Sequence, residues 1–249
     1  MYLFCIQDNH IYMVIKSNKR DFKANKLKIG TRGSPLALAQ ALEVKKEIIK
    51  HHKLNDQSVE IISISTKGDR VTDRPLTEIG GKGLFTEEIE NKLFHNEIDI
   101  AVHSMKDMPT EFPTGLGINT FLKREDFRDS FVSLKYNSIN ELPVGAVVGS
   151  SSIRRKAQLL SIRPDLKVVE FRGNVQTRLK KLEDGVADAT FLACAGLIRL
   201  GMEDLVNPIS PEVMMPAIAQ GIIGIEQRLN DNEITELLFP LNHEQTKTQ

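Results

Sequence analysis

Three glycine- and serine-rich corners each carry arginine at a point where an extended run should feed a helix: Thr31-Arg32-Gly33-Ser34-Pro35, Gly149-Ser150-Ser151-Ser152-Ile153-Arg154-Arg155 and Phe171-Arg172-Gly173-Asn174. A helix N-terminus presents unpaired N–H groups and a partial positive charge, which suits an anion. Arginine adds a planar fork matched to carboxylate or phosphate oxygens. Several such corners point to one ligand bearing many negative groups. Between the first two lies His103-Ser104-Met105-Lys106-Asp107, so Asp107 is an acid set among cations and a candidate for chemistry. From position alone, Asp107 reads first as a structural acid paired with Lys106 at a turn.

The basic residues act locally, because 33 Lys+Arg balance 33 Asp+Glu in a chain of 249 residues. Neither nucleic acid nor an anionic membrane is implied by that balance, and the absence of Trp weakens a base-stacking reading further. No apolar run approaches the roughly 18 residues of a membrane span. Cys5 and Cys194 form no CxxC pair, so no metal site is expected; Cys194 lies in an apolar run and reads as a buried core thiol. A reducing cytoplasm is the expected setting. Residues 1–25 show neither the unbroken apolar core nor the cleavage site of a signal peptide and are expected to be a disordered extension.

Apolar β-rich runs alternate with helical patterns, which predicts an α/β chain. Strands are expected at Leu27–Thr31, Val59–Ser65, Asp99–Ser104, Ser130–Leu134, Ala146–Gly149, Lys167–Phe171, Ala189–Ala193 and Gly221–Gln227. Helices are expected from the Ser34 cap and Pro35 to about His51, from a Thr86 cap to about His95, and over Ser152–Ser161, Asn174–Glu183 and Asp231–Leu241. Residues 67–83 read as a long mobile loop rich in glycine. Crossovers near 121–128 and 213–221 then predict two doubly wound lobes joined by a two-strand hinge: 26–122 with 221–241, and 128–215. Ligands in such folds sit at the carboxyl ends of the strands, where all the arginine corners fall.

Six segments in order carry a resemblance to the porphobilinogen deaminase (hydroxymethylbilane synthase) family. They are Thr31–Leu38 (TRGSPLAL), Gly80–Phe85 (GGKGLF), Ile100–Pro109 (IAVHSMKDMP), Gly149–Arg155 (GSSSIRR), Leu197–Gly201 (LIRLG) and Pro216–Gly221 (PAIAQG). The resemblance runs from Leu27 to Gln245. It implies two lobes like periplasmic binding proteins, a monomer, and condensation of the small molecule porphobilinogen into a linear tetrapyrrole with loss of ammonia, in porphyrin and heme biosynthesis. It also implies a dipyrromethane cofactor, thioether-linked to a cysteine in a third, α+β domain. Residues 242–249 read as the truncated start of that domain, and neither Cys5 nor Cys194 stands at the attachment position. The expectation is therefore a chain without the third domain. It would be an enzyme of this family or, alternatively, a non-catalytic anion-binding fragment or one part of a split enzyme.

On this reading Asp107 and Lys106 are catalytic, and Arg32, Arg154, Arg155, Arg172, Arg178 and Arg199 clamp carboxylates. Ser34, Ser104, Ser150, Ser151, Ser152, Gly173, Asn174 and Gln220 complete the anion site. Arg178 and Arg199 read alternatively as solvated helix faces, Ser34 and Ser152 as simple caps, and Lys82 as either a closing lid or a surface lysine. His103 points away from Ser104 on a strand and reads as a satisfied core histidine.

Overall fold

The computed structural model describes residues 26–70 and 84–248, with the backbone of Leu3–Gln7 and His10–Val14. The latter two are strands β1 and β2, paired antiparallel from Leu3↔Val14 to Gln7↔His10. The two apolar patches of the extension thus pair, where disorder is the expectation; β-branched and aromatic residues favour an extended, partnered backbone.

The first lobe begins with β3 (Leu27–Arg32), α1 (Pro35–His52), β4 (Val59–Ile64), α2 (Lys67–Arg70), α3 (Glu87–Phe94), β5 (Ile100–Ser104) and β6 (Leu116–Phe121). The second holds β7 (Asp129–Val132), β8 (Val147–Gly149), α4 (Ile153–Ile162), β9 (Lys167–Val169), α5 (Val175–Glu183), β10 (Ala189–Ala193) and α6 (Cys194–Arg199). The chain then returns to the first lobe as β11 (Ile223–Arg228), α7 (Asn232–Leu238) and α8 (Glu244–Lys247).

The first sheet runs β4-β3-β5-β11-β6. Strands β4, β3 and β5 are parallel, and β11 is antiparallel to both its neighbours. The second sheet runs β7-β10-β8-β9, parallel except for β7. Alternation sends neighbouring strand residues to opposite cores. Ile100 and Val102 pack with the α1 stripe Ala41, Val44 and Ile48, whereas Ala101 packs with Ile89 and Leu93 of α3. In the second lobe Phe131 and Phe191 join Leu159 of α4, whereas Val132 and Leu192 join Leu182 of α5.

Several elements depart from the expectation. The stretch 67–83, expected as a loop, opens as helix α2, and residues 71–83 lie outside the described residues. Strand β6 sits between the Pro/Gly turn and the charged crossover. Helix α6 occupies the apolar run that contains Cys194. The Thr86 hydroxyl does not cap α3; it is buried, and its backbone carbonyl accepts from Ile89 and Glu90 instead. Residues 242–248 lie along the first lobe: Phe121 N donates to Asn242 Oδ1 and Arg124 N to Thr246 Oγ1, both at 3.1 Å.

A candidate active site in the cleft between the lobes

Each arginine corner is a strand-to-helix turn: β3 into α1, β8 into α4, and β9 into α5. Three of the proposed anion-binding residues cap these helices. Ser34 Oγ accepts from Ala37 N at 3.3 Å, Ser152 Oγ from Arg155 N at 3.4 Å, and Asn174 Oδ1 from Thr177 N at 2.8 Å. The corner at Gly173 needs glycine, because φ is +120° and a Cβ would stand 2.6 Å from Thr177.

In the first lobe Arg32, Ser34, Ser104 and Asp107 line one pocket with Gln40 and Phe85. Ser104 Oγ is held by Gln40 Nε2 at 2.8 Å. The Arg32 guanidinium lies 4.1 Å over the Phe85 ring and forms an ion pair with Asp69. Burial alone would raise the Asp69 pKa, but hydrogen bonds from Arg32 and Thr66 outweigh it and hold the carboxyl below the usual carboxylate range. Asp107 itself sits in a 3₁₀ turn over Met105–Asp107, immediately after β5, with its side chain open to the cleft.

Lys106 and the second-lobe arginines face each other across that cleft. The Lys106 side chain is exposed to the cleft. Desolvation by the surrounding protein lowers its pKa, the Arg155 and Arg178 charges lower it further, and Asp107 and Asp129 oppose them. Desolvation likewise lowers Arg178 to about 10, with Arg155 and Arg172 adding repulsion and Asp107 opposing it. Like charges therefore converge here, a condition that a bound anion relieves.

Several sequence-predicted residues have already found partners within the protein. Arg154 and Arg155 converge on Asp129, which is fully buried and which the sequence reading passed over. Arg155 Nη2 donates to Asp129 Oδ1 at 2.6 Å and Nη1 to Phe191 O at 2.8 Å. Gln220 Nε2 donates to the same Oδ1 at 2.9 Å, and to Phe127 O. Ser150 Oγ accepts from Ser152 N, and Ser151 Oγ from Phe171 N at 3.0 Å, so both shape the corner. Arg178 Nε donates to Gly173 O, turning its helix back onto the same corner.

Arg199 is the correction. Neither a cleft clamp nor a solvated residue, it is buried between the lobes, donating to Glu43 Oε2 of α1 at 2.9 Å and to Gly221 O at 3.1 Å. Lys82 lies outside the described residues. His103 has its partner in Glu226 Oε2, 2.9 Å away, with both side chains buried. Cys194 is buried, and burial pushes its thiol up to about 11. Among the described residues no cluster of three or more His, Cys, Asp or Glu could hold a metal ion, and no helix is long and apolar enough to cross a membrane.

The two-lobed fold is shared with distant solved structures. A pheromone cOB1 precursor/lipoprotein of the YaeC family from Enterococcus faecalis aligns with a TM-score of 0.53 at 14% identity, over 89% of this chain and 94% of that one. The lipoprotein Tp32 from Treponema pallidum aligns at 0.51 and 13% identity, over 90% and 93%. Sequence relationship is far closer elsewhere. Residues 27–236 match the family model described as porphobilinogen deaminase, dipyromethane cofactor binding domain. The porphobilinogen deaminase of Paracoccus denitrificans is 62% identical over 219 residues, which are 88% of this chain and 70% of the relative. The chain belongs to the porphobilinogen deaminase family, transferases of tetrapyrrole synthesis.

Proposed function

We propose that the chain condenses porphobilinogen units into the linear tetrapyrrole hydroxymethylbilane, releasing ammonia at each addition. The observation that carries this reading is the convergence of Lys106, Arg155, Arg172 and Arg178 across the cleft, with Asp107 acting on both Lys106 and Arg178. Porphobilinogen carries acetate and propionate groups, so a growing chain of pyrroles is a polyanion that such a cluster suits. Loss of ammonia leaves an electron-poor methylene-pyrrole. The Asp107 carboxylate stabilises that positive charge, accepts a hydrogen bond from the pyrrole N–H, and moves protons to the leaving amine and from the coupled ring carbon. Lys106 and the arginines orient the side-chain carboxylates. Ser34 and Ser152, although accepting from their own helices, each keep a hydroxyl hydrogen to donate.

The cations that converge here also fit dipyrromethane, which bears the same carboxylates. Arg154, Arg172, Arg178 and Lys106 would hold it, and when bound it supplies the pyrrole carbon to which the first substrate adds. The test is to incubate the purified chain with porphobilinogen and follow its consumption, and uroporphyrin after oxidation. Turnover supports the reading; no consumption by a cooperatively folded sample overturns it for this chain.

A further inference from the structure

Asp129 has no exposure to solvent, yet it draws together two arginines and a glutamine from separate parts of the chain. It opens β7, where the chain enters the second lobe, while Gln220 stands where the chain leaves it. Arg155 spends Nη2 on Asp129 and Nη1 on the Phe191 carbonyl, and its Nε has no acceptor. Arg154 Nη2 lies 2.8 Å from the other carboxylate oxygen, as an ion pair without hydrogen-bond alignment, and Nη1 reaches Met215 O. The Arg154 side chain is 26% exposed against 8% for Arg155. Arg155 is thus a buried strut beside Asp129, and Arg154 the more exposed member of the pair.

We infer that Asp129 is a positioning residue: it fixes the planes of the Arg154 and Arg155 guanidinium groups for anion binding, and through Gln220 registers them to the crossover between the lobes. Two charges of opposite sign inside a protein are costly unless geometry and additional hydrogen bonds are good. Here the bonds to Phe191 O and from Gln220 supply that geometry. The inference concerns the preparation of the arginines and rests on the proposed function only for the identity of the anion.

Charge and position predict opposite outcomes. Removing a carboxylate beside two arginines makes the cleft more positive, so charge alone predicts tighter anion binding by Asp129→Asn. Positioning predicts weaker binding, by about tenfold for one well-placed charged hydrogen bond. Calorimetric titration of the chain and of Asp129→Asn with porphobilinogen separates the two; unchanged or tighter binding by the variant overturns the inference. A second measurement needs neither turnover nor a stable Asp129 variant. In NMR of the unaltered chain, Arg155, identified through Arg155→Lys, should show separate Nη resonances and a solvent-protected Nε–H, whereas one averaged set of Nη signals overturns the inference. If the unaltered chain takes up no porphobilinogen, the proposed function fails while the NMR result still decides the role of Asp129.

Discussion

Arg199 of the second lobe donates through Nε to Glu43 of the first, 2.9 Å away, and through Nη2 to the carbonyl of Gly221 in the crossover. One guanidinium therefore ties α6, α1 and the returning chain together. Because the Glu43 side chain is 39% exposed, solvent screens the pair. A double-mutant cycle with Glu43→Gln and Arg199→Gln should give a coupling of about 0.5–1 kcal/mol in thermal or denaturant unfolding. Additive losses would mean that the two side chains do not act together.

Asp107→Asn keeps the shape of the side chain and removes its charge. Its side chain is exposed to the cleft, so the unfolding midpoint should stay close to the parent value while turnover of porphobilinogen falls by roughly a hundredfold or more. Turnover near the parent rate would return Asp107 to a structural role beside Lys106.

Alkaline pH should weaken substrate binding. A cation holds a carboxylate only while protonated, and desolvation lowers the Lys106 pKa from its ordinary 10.5. Affinity for porphobilinogen is then greatest below the lowered Lys106 pKa and falls as pH rises through it. Arginine holds its proton to higher pH than lysine, so Lys106→Arg should move the fall to higher pH. A pH profile of Kd that Lys106→Arg leaves unmoved would exclude this contribution of Lys106.

Glu90 on α3 is buried, and desolvation, aided by Glu226, raises its pKa. The sign follows from linkage: a carboxyl whose folded pKa exceeds its unfolded value contributes stability below the unfolded pKa, and that contribution is lost as pH rises through the folded pKa. Glu90→Gln should therefore stabilise the chain at pH 8 relative to the parent, with a smaller gain near pH 4. Denaturant midpoints at the two pH values check this, and an equal change at both would refute it.

Gly221 has φ +89°, and a Cβ there would stand 2.5 Å from the carbonyl oxygen of Glu125 on the opposite crossover. Neither backbone can yield cheaply, so Gly221→Ala should cost roughly 1–3 kcal/mol. The two crossovers touch at this point, and the variant should also lower affinity for porphobilinogen by disturbing the relation of the lobes. A stability equal to the parent's would contradict the crowding.

Local signals were readable in the sequence because they act over a few residues. Ser34 and Pro35 open α1, Asn174 caps α5, and Ala189–Ala193 is a strand. The arginine corners were readable for the same reason, as was the core placement of His103. Asp129 was not, because its importance is conferred by Arg155, 26 residues away, and Gln220, 91 away. The fate of Arg199 was equally hidden, since Glu43 is 156 residues distant and on another lobe. A charged residue on a helix reads the same in sequence whether it meets water, a ligand or a distant carboxylate.

The placement of β11 bears on the order in which the molecule is made. This strand lies between β5 and β6, yet follows the whole of the second lobe in the chain. As the polypeptide leaves the ribosome, the first lobe has β4, β3, β5 and β6 but a vacant lane in its sheet. The second lobe emerges as one continuous stretch and can fold while that lane waits. Synthesis must pass Arg228 before Glu226 can reach His103 and the lane is filled. The first lobe to be translated is thus the last to be finished, and until then β5 displays an open edge and β6 has no partner strand, both of which a nascent-chain chaperone would have reason to cover.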